Sequence, residues 1–499
     1  MGCVSLGGKL PLPSLFDLST ERLRYEAQRA GTLGLLTRGI DFFFQTIALI
    51  ILARLLTPAE FGVFAMVTPF VWIVMHVGDL GLGAALTQQT SLNPGEASAV
   101  FFVNMAAGVC FALAFLVCSP LIGAFYGDPR AAEIASALSA LFLIAGFTGV
   151  HVALLRRALR FEILLYAQLI ASAVSSAVAV ALALKGAGYW ALAARAIVDP
   201  LVYSISVWSS GCWFPGRPIW GETTRSLLRV GRFSMGYALM LVAGRQTDQV
   251  LIGWRYGSVE LGPYSLAYKL FSLPSQLLSL PVGNVVIPTL SRLRDDPERL
   301  KTWYTKILKA LTLVAFPVFA ILTTCADDVV RLFAGPQWRQ SVAILVLLGP
   351  VGALQIAAAT GDWLMYSQGQ ANRVFRWACI TTAVYIMGFF VGLPFGGRGV
   401  AAGFLIANIL LFIPGLAYAL RQTPIRLLDA LRAMVPGVAL ALASSAVSYE
   451  VLVALLPERP AALRLAAIAV AVGVLFAATV FGLYGRDLMV DLARMREAK

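Results

Sequence analysis

The sequence predicts an all-α polytopic membrane protein with about fourteen transmembrane helices, on three observations. Hydrophobic residues make up 59% of the 499 positions and charged residues only 13%, against about 25% charged in soluble domains. Apolar runs recur from residue 35 to residue 483, most of them near the ~20 residues that cross a ~30 Å hydrocarbon layer as a helix. With these runs taken as spans, 26 of the 39 Lys and Arg residues fall in alternate gaps on one side, termini included. Nine fall on the other side, and four (Arg38, Arg195, Arg245, Lys269) lie inside spans. Cytoplasmic loops keep Lys and Arg because these are costly to translocate. Both termini are therefore expected in the cytoplasm, and the number of spans is even.

In order, the first spans read Leu35–Ala53, Val63–Leu82, Val100–Leu121, Ala131–Leu155, Ile163–Leu184 and Tyr189–Trp208. The gap that follows carries Trp213, Phe214 and Trp220 with Arg217, Arg225 and Arg229, a composition suited to the membrane interface. Phe233–Trp254 and Leu261–Ile287 come next; the latter holds Pro263, Pro274 and Pro281, each of which removes a backbone hydrogen bond and favours a kink. Ile307–Thr324, Val342–Tyr366, Trp377–Val391, Val400–Leu420, Ala433–Leu455 and Leu465–Leu483 complete the set. Trp377–Val391 is short for a crossing and should extend by a few residues. Residues 1–34 lack the apolar run of a signal peptide. Their Leu15, Phe16, Leu18, Leu23 and Tyr25, mixed with Arg22, Arg24 and Arg29, suit a helix lying on the inner leaflet.

The chain repeats itself. Glu60-Phe61-Gly62-Val63-Phe64-Ala65-Met66 is echoed by Glu260-Leu261-Gly262-Pro263-Tyr264-Ser265-Leu266, and Gly186-Ala187-Gly188 by Gly397-Arg398-Gly399. Spans one to six and seven to twelve thus read as two six-helix bundles. Both begin in the cytoplasm, so the repeat is parallel, and the last two helices stand outside it. The expected organisation is an interfacial N-terminal segment at 1–34, a first bundle at 35–209 and a cytoplasmic linker at 210–232. A second bundle at 233–420 is followed by two additional helices and a cytoplasmic tail at 421–499. Two bundles facing one another across a midplane cavity is an architecture of alternating access.

The net charge of +13 needs no nucleic-acid partner, because it sits mainly in cytoplasmic gaps, where it sets topology and meets anionic lipid. The six cysteines, Cys3, Cys110, Cys118, Cys212, Cys325 and Cys379, are scattered and form no metal-like pair. No cofactor or metal is expected. No gap is long enough to hold a folded extramembrane domain, so the function is exercised within the membrane.

A charge near mid-bilayer costs roughly 2.5–3.5 kcal/mol on insertion scales and needs a partner or an aqueous cavity. Span one carries Arg38, Asp41 and Gln45 on one helical face. Span seven carries Arg245 and Asp248, span eight Lys269, span six Arg195 and Asp199, and span ten Asp362. Arg38–Asp41 and Arg245–Asp248 read either as pairs that neutralise one another or as parts of a site. His76 and His151 read as hydrogen-bonded packing residues rather than a proton relay. Arg156, Arg157 and Arg160 form a basic cluster at the cytoplasmic end of span four, which fits a topology determinant.

Several segments resemble a known family. Leu56-Thr57-Pro58-Ala59-Glu60-Phe61-Gly62 followed by Asp79-Leu80-Gly81-Leu82, Leu227-Leu228-Arg229-Val230-Gly231, and Asp248-Gln249-Val250-Leu251-Ile252-Gly253 stand in that order. Gly262-Pro263-Tyr264-Ser265-Leu266-Ala267 and Pro288-Thr289-Leu290-Ser291-Arg292-Leu293 follow. Together they resemble the bacterial polysaccharide transporter family of Wzx-type flippases, in its colanic-acid-exporter-like branch. That family lies in the superfamily that also holds multidrug exporters and the peptidoglycan-precursor flippase. The resemblance implies a transporter and not an enzyme, in the bacterial inner membrane. Its substrate would be an oligosaccharide joined by pyrophosphate to undecaprenol, and its partners membrane lipid and the polysaccharide polymerase and chain-length machinery. It further implies a cationic cavity, for which Arg38, Arg245 and Lys269 are the candidates. Asp41, Asp248 and Gln45 are the candidates for ion pairing or for coupling to a proton or sodium ion.

Two other readings compete. A multidrug exporter shares the bundle pair, but a cavity for organic cations calls for acidic and aromatic linings, and the intramembrane charges here include Arg and Lys. A membrane polymerase or lipid-dependent glycosyltransferase calls for a sizeable outer loop. The largest outer gap, Cys325–Ser341, has little length.

Overall fold

A computed structural model describes residues 23–78, 86, 93–158, 160–211, 213–220, 222–456 and 459–497, with side chains described within 39–72, 86, 93–158, 160–211, 213–220, 246–279, 282–456 and 459–482. The described residues form helices and no strand. In a bilayer every backbone polar group must be satisfied within the segment, which selects helix for each apolar run. Ten segments among the described residues are long and apolar enough to cross a membrane. Two of these, Gln246–Ser291 and Ala371–Leu420, run for 46 and 50 residues, roughly twice a single crossing.

The chain divides into two compact units, Met1–Gly262 and Pro263–Lys499. In the first, α1 (Leu23–Leu55) is followed by α2 (Pro58–Gly78), α3 (Pro94–Tyr126), α4 (Pro129–Leu138), α5 (Ala140–Arg157), α6 (Phe161–Leu184) and α7 (Trp190–Ser209). α1 packs on α6, α6 on α7, and α3 on both α4 and α5. Residues 23–34, expected on the membrane surface, are the continuous start of α1. Local chemistry sets the boundaries. Glu96 caps the start of α3 through the Asn93 amide at 3.1 Å, and Gly127 ends α3 in the left-handed region at φ 65°, which only glycine adopts without cost. Asp128 then caps α4, accepting from the Arg130 amide at 3.0 Å and from its guanidinium at 2.8 Å. That contact holds the Asp128 carboxyl below its ordinary range.

α8 (Glu222–Ser291) spans both units and is broken at Gly257, whose φ of 74° and ψ of −170° are non-helical. The break falls in the gap expected between spans seven and eight, and Pro263, Pro274 and Pro281 lie in the helix that follows it. Ser341 Oγ donates to the carbonyl of Pro263 at 2.9 Å within the second unit.

The second unit continues with α9 (Pro297–Thr324), α10 (Ala326–Phe333), α11 (Arg339–Ser367), α12 (Ala371–Gly392), α13 (Gly396–Leu420), α14 (Leu427–Glu450) and α15 (Ala461–Glu497). α12 has the extra residues that the short run Trp377–Val391 requires. α9 packs on α14 and α11, and α13 on α11 and α12. Two ion pairs join the last two helices to the rest of this unit. Lys301 on α9 meets Asp429 on α14 at 2.7 Å, and Arg464 on α15 meets the buried Asp328 of α10. Burial holds the Asp328 carboxyl above its ordinary range, and Arg464 opposes that effect.

The segment after α7 belongs to the first unit's core. Trp213 is 3% exposed and packs with Phe101, Val150 and Leu154. The Gly216 amide donates to Ser98 Oγ at 3.0 Å, and the Ile219 amide to the Gly95 carbonyl at 2.9 Å.

Candidate functional site

The first unit gathers polar groups from three membrane helices. On α1, Asp41 and Gln45 are one turn apart, and Gln45 Nε2 donates to Asp41 Oδ2 at 2.9 Å. On α6, Gln168, Ser172 and Ser175 share a helical face by their spacing. Ser172 Oγ donates to Asp41 Oδ1 at 2.5 Å, and Gln168 Nε2 lies 3.3 Å from the same oxygen. On α7, Asp199 accepts from Ser175 Oγ at 3.0 Å. Arg195, one turn before Asp199, interacts electrostatically with both Asp199 and Asp41. Its Nε is buried with no hydrogen-bond partner among the described residues.

One cation and two carboxylates therefore stand within a single polar cluster. Ser172 and Ser175 are fully buried, while Asp41, Arg195 and Asp199 are half-buried. Removing ions from water costs several kcal/mol each unless partners replace the lost hydration. The Ser and Gln donors satisfy the carboxylate oxygens, and Arg195 offsets one of the two negative charges. Such a cluster can hold a proton or a small cation at the cost of rearranging its own hydrogen bonds.

The sequence placed Asp41 and Gln45 together and the structure joins them. Arg195 and Asp199 read as minor intramembrane charges from sequence, yet they complete the cluster. Its α6 members were missed, although three polar residues at i, i+4 and i+7 in an apolar span are the legible signal. Asp248 on α8 is 1% exposed, and its Oδ1 accepts from the Gln249 amide at 2.8 Å. Lys269 lies in the second unit, half-buried on α8, with its carbonyl accepting from Ser272 Oγ at 2.9 Å. The side chains of Arg38, Arg245 and His76, and residue Asp79, lie outside the described residues.

Other polar positions resolve as packing. His151 Nε2 is 3.2 Å from the Trp213 carbonyl, and the ring lies 4.0 Å from that of Trp208. Arg157 is 4% exposed and reaches the Leu86 carbonyl at 3.4 Å. This part of the basic cluster ties the end of α5 to Leu86 as well as contributing charge. Cys110, Cys118, Cys325 and Cys379 are free thiols.

The described residues form an all-helical, multi-pass membrane fold with a polar cluster inside its spans. The family model described as "Polysaccharide biosynthesis protein" matches residues 51–343, and the chain belongs to that family. It is 28% identical over 333 residues to the succinoglycan biosynthesis transport protein ExoT of Rhizobium meliloti, covering 66% of this chain and 67% of that protein. It is 25% identical over 371 residues to the teichuronic acid biosynthesis protein TuaB of Bacillus subtilis, covering 71% and 74%. With the lipopolysaccharide biosynthesis protein WzxC of Escherichia coli the identity is 23% over 367 residues, covering 72% and 74%. Among solved structures, the fold is similar to the lipid II flippase MurJ in an inward closed conformation, with a TM-score of 0.71. That match has 14% identity and covers 91% of this chain and 99% of that one. An inward-facing multidrug resistance MATE family transporter of the MOP superfamily gives a TM-score of 0.64 at 16% identity, covering 79% and 96%. The chain is a multi-pass membrane protein of the polysaccharide biosynthesis family.

Proposed function

We propose that this chain is a flippase that turns undecaprenyl-pyrophosphate-linked oligosaccharides from the inner to the outer leaflet of the bacterial cytoplasmic membrane by alternating access, with both termini in the cytoplasm. The observation that carries this reading is the family match over residues 51–343, and the similarity to a succinoglycan biosynthesis transport protein supports it. The physics supports it. A sugar head group cannot cross hydrocarbon unaided, whereas its lipid tail can stay in the bilayer. The pyrophosphate calls for positive charge, and the guanidinium fork of Arg matches phosphate geometry. Arg38, Arg245 and Lys269 are the residues assigned to it. A membrane potential negative inside also favours outward movement of an anion, at ~2.3 kcal/mol per charge per 100 mV.

Within this reading the Asp41 cluster, with Gln45, is the place for coupling to a proton or sodium ion, and Asp248 is a second candidate. Products handed to the outer leaflet are substrates for a polysaccharide polymerase and its chain-length machinery. The multidrug-export reading shares the fold but has less support, since the family match is to polysaccharide biosynthesis.

The test is surface polysaccharide in a strain that depends on this gene. Arg245→Ala should abolish it with membrane abundance unchanged, and Arg245→Lys should restore only part, because a point charge lacks the fork. Full polysaccharide with Ala removes Arg245 from the site. Drug susceptibility that rises on gene deletion, with polysaccharide intact, favours the exporter instead.

A further inference from the structure

Within the first unit, α7 stops short of the helices beside it. Trp208, next to the last residue of α7, lies against His151 of α5, with ring centroids 4.0 Å apart. α5 continues from His151 to Arg157, a further ~9 Å at 1.5 Å per residue. The chain covers that depth as the non-helical stretch 213–220. Trp213, Gly216 and Ile219 tie this stretch to the start of α3, which gives irregular backbone the protein cover it needs near a bilayer.

Where α7 stops there is a cavity of about 550 Å³, lined by Phe147, Ser204, Ile205, Trp208, Ser209 and Phe214. Sites for small ligands commonly have ~300–1,000 Å³. Phe147, Ile205 and Phe214 are exposed, so the cavity is open to its surroundings. Every polar side chain in the lining is satisfied within the wall. The Thr148 and Ser204 hydroxyls are 2.7 Å apart, Ser209 Oγ donates to the Ile205 carbonyl at 2.7 Å, and Trp208 Nε1 donates to the Phe147 carbonyl at 3.1 Å. An occupant meets apolar contact alone, which suits a hydrocarbon chain and not a polar ligand.

Charge stands at one end of this apolar space. Arg217 follows Phe214 by a stretch of chain of at most about 11 Å, on the way to the Ile219–Gly95 contact at the start of α3. Arg217 is exposed, and residues 209–221 contain no Asp or Glu. Trp220 beside it is also exposed, and its amphipathic ring suits the head-group level. On the topology given by the basic residues, this is the inner end of α7. The cavity then lies deeper in the bilayer and the cation nearer the head groups, the order of acyl chain and phosphate in a lipid.

We propose that the inner end of α7 is a binding site for an anionic phospholipid of the inner leaflet, with one acyl chain in the cavity and the phosphate at Arg217. The site does not rest on the flippase reading, and no step of transport passes through it.

The experiment places the full-length chain in nanodiscs of phosphatidylcholine with a small fraction of phosphatidylglycerol that carries a diazirine in its acyl chain. Crosslinked residues are read by mass spectrometry after illumination. Val117 of α3, 74% exposed, is the reference for casual lipid contact. Crosslinks at Phe147, Ile205 and Phe214 should exceed those at Val117 several-fold. Carrying the diazirine on phosphatidylcholine instead, or substituting Arg217→Gln, should lower the cavity signal about fivefold, the effect of one interfacial cation. Arg217→Lys should retain it. Ser209→Trp and, independently, Ile205→Trp fill the cavity from exposed positions and should remove its signal while Val117 stays labelled. Equal labelling of the cavity and Val117 overturns the proposal. So does a cavity signal indifferent to both head-group charge and Arg217→Gln. Unlabelled undecaprenyl phosphate that displaces the probe at a lower mole fraction than unlabelled phosphatidylglycerol overturns it too, since the occupant is then a polyprenyl carrier.

Discussion

Asp41 on α1 accepts a hydrogen bond from Ser172 on α6, 131 residues further along the chain. The contact anchors the first helix of the unit to its central pair, α6 and α7, through a carboxylate inside the membrane. A hydrogen bond to a charged group contributes about 1.5–3 kcal/mol, and here Gln45 and Gln168 remain to share the load. Ser172→Ala should therefore leave the protein folded, with an unfolding midpoint in detergent lowered by several degrees. A midpoint equal to wild type would show that the contact carries no stability.

Arg195 and Asp199 distinguish structure from function in the same cluster. Arg195→Gln leaves two carboxylates without their cation and should reduce membrane abundance several-fold. Removing Asp199 as well, in Arg195→Gln/Asp199→Asn, restores the charge balance and should recover abundance. Surface polysaccharide should stay low in the double variant if the cluster takes part in coupling. Polysaccharide recovering together with abundance would reduce the pair to a scaffold.

The pair Arg464–Asp328 holds α15 to α10 in the second unit. Its side chains are 17% and 3% exposed. Breaking a buried pair by removing one partner costs about 3–5 kcal/mol, so Arg464→Met should lower the unfolding midpoint clearly. Arg464→Met/Asp328→Asn should recover most of the loss, because the stranded charge is gone. A single variant as stable as wild type would show the pair to be neutral.

Topology is tested by cysteines placed along the chain. Sites at Arg130, Arg331 and Arg459 should react with an external impermeant maleimide, and sites at Arg160 and Arg294 should not. Arg160, 42% exposed, serves as the inner reporter, whereas the neighbouring Arg157 is buried. External labelling at Arg160 or Arg294 would break the assigned orientation.

Much of the fold was legible in one dimension because a bilayer imposes a one-dimensional rule. Each apolar run of sufficient length must be a helix, and each basic gap must face inward. The runs around Val100 and Ile163 were readable for that reason, and so was the extension of Trp377–Val391 into α12. So was the turn between spans seven and eight, since the helical geometry breaks at Gly257, inside the gap read between Trp254 and Leu261.

The sequence by itself determined the class of protein, its apolar spans, the bias of its charge and the repeat, because all four are properties of local composition and order. The tertiary structure alone decided which polar residues meet. Gln168, Ser172 and Ser175 look like minor breaks in an apolar run until α1 and α7 bring Asp41 and Asp199 against them. Phe147 and Ile205 look like ordinary apolar residues of two spans until they line one cavity. Both outcomes depend on distances between helices far apart in the chain, and spacing along one helix carries no information about that separation.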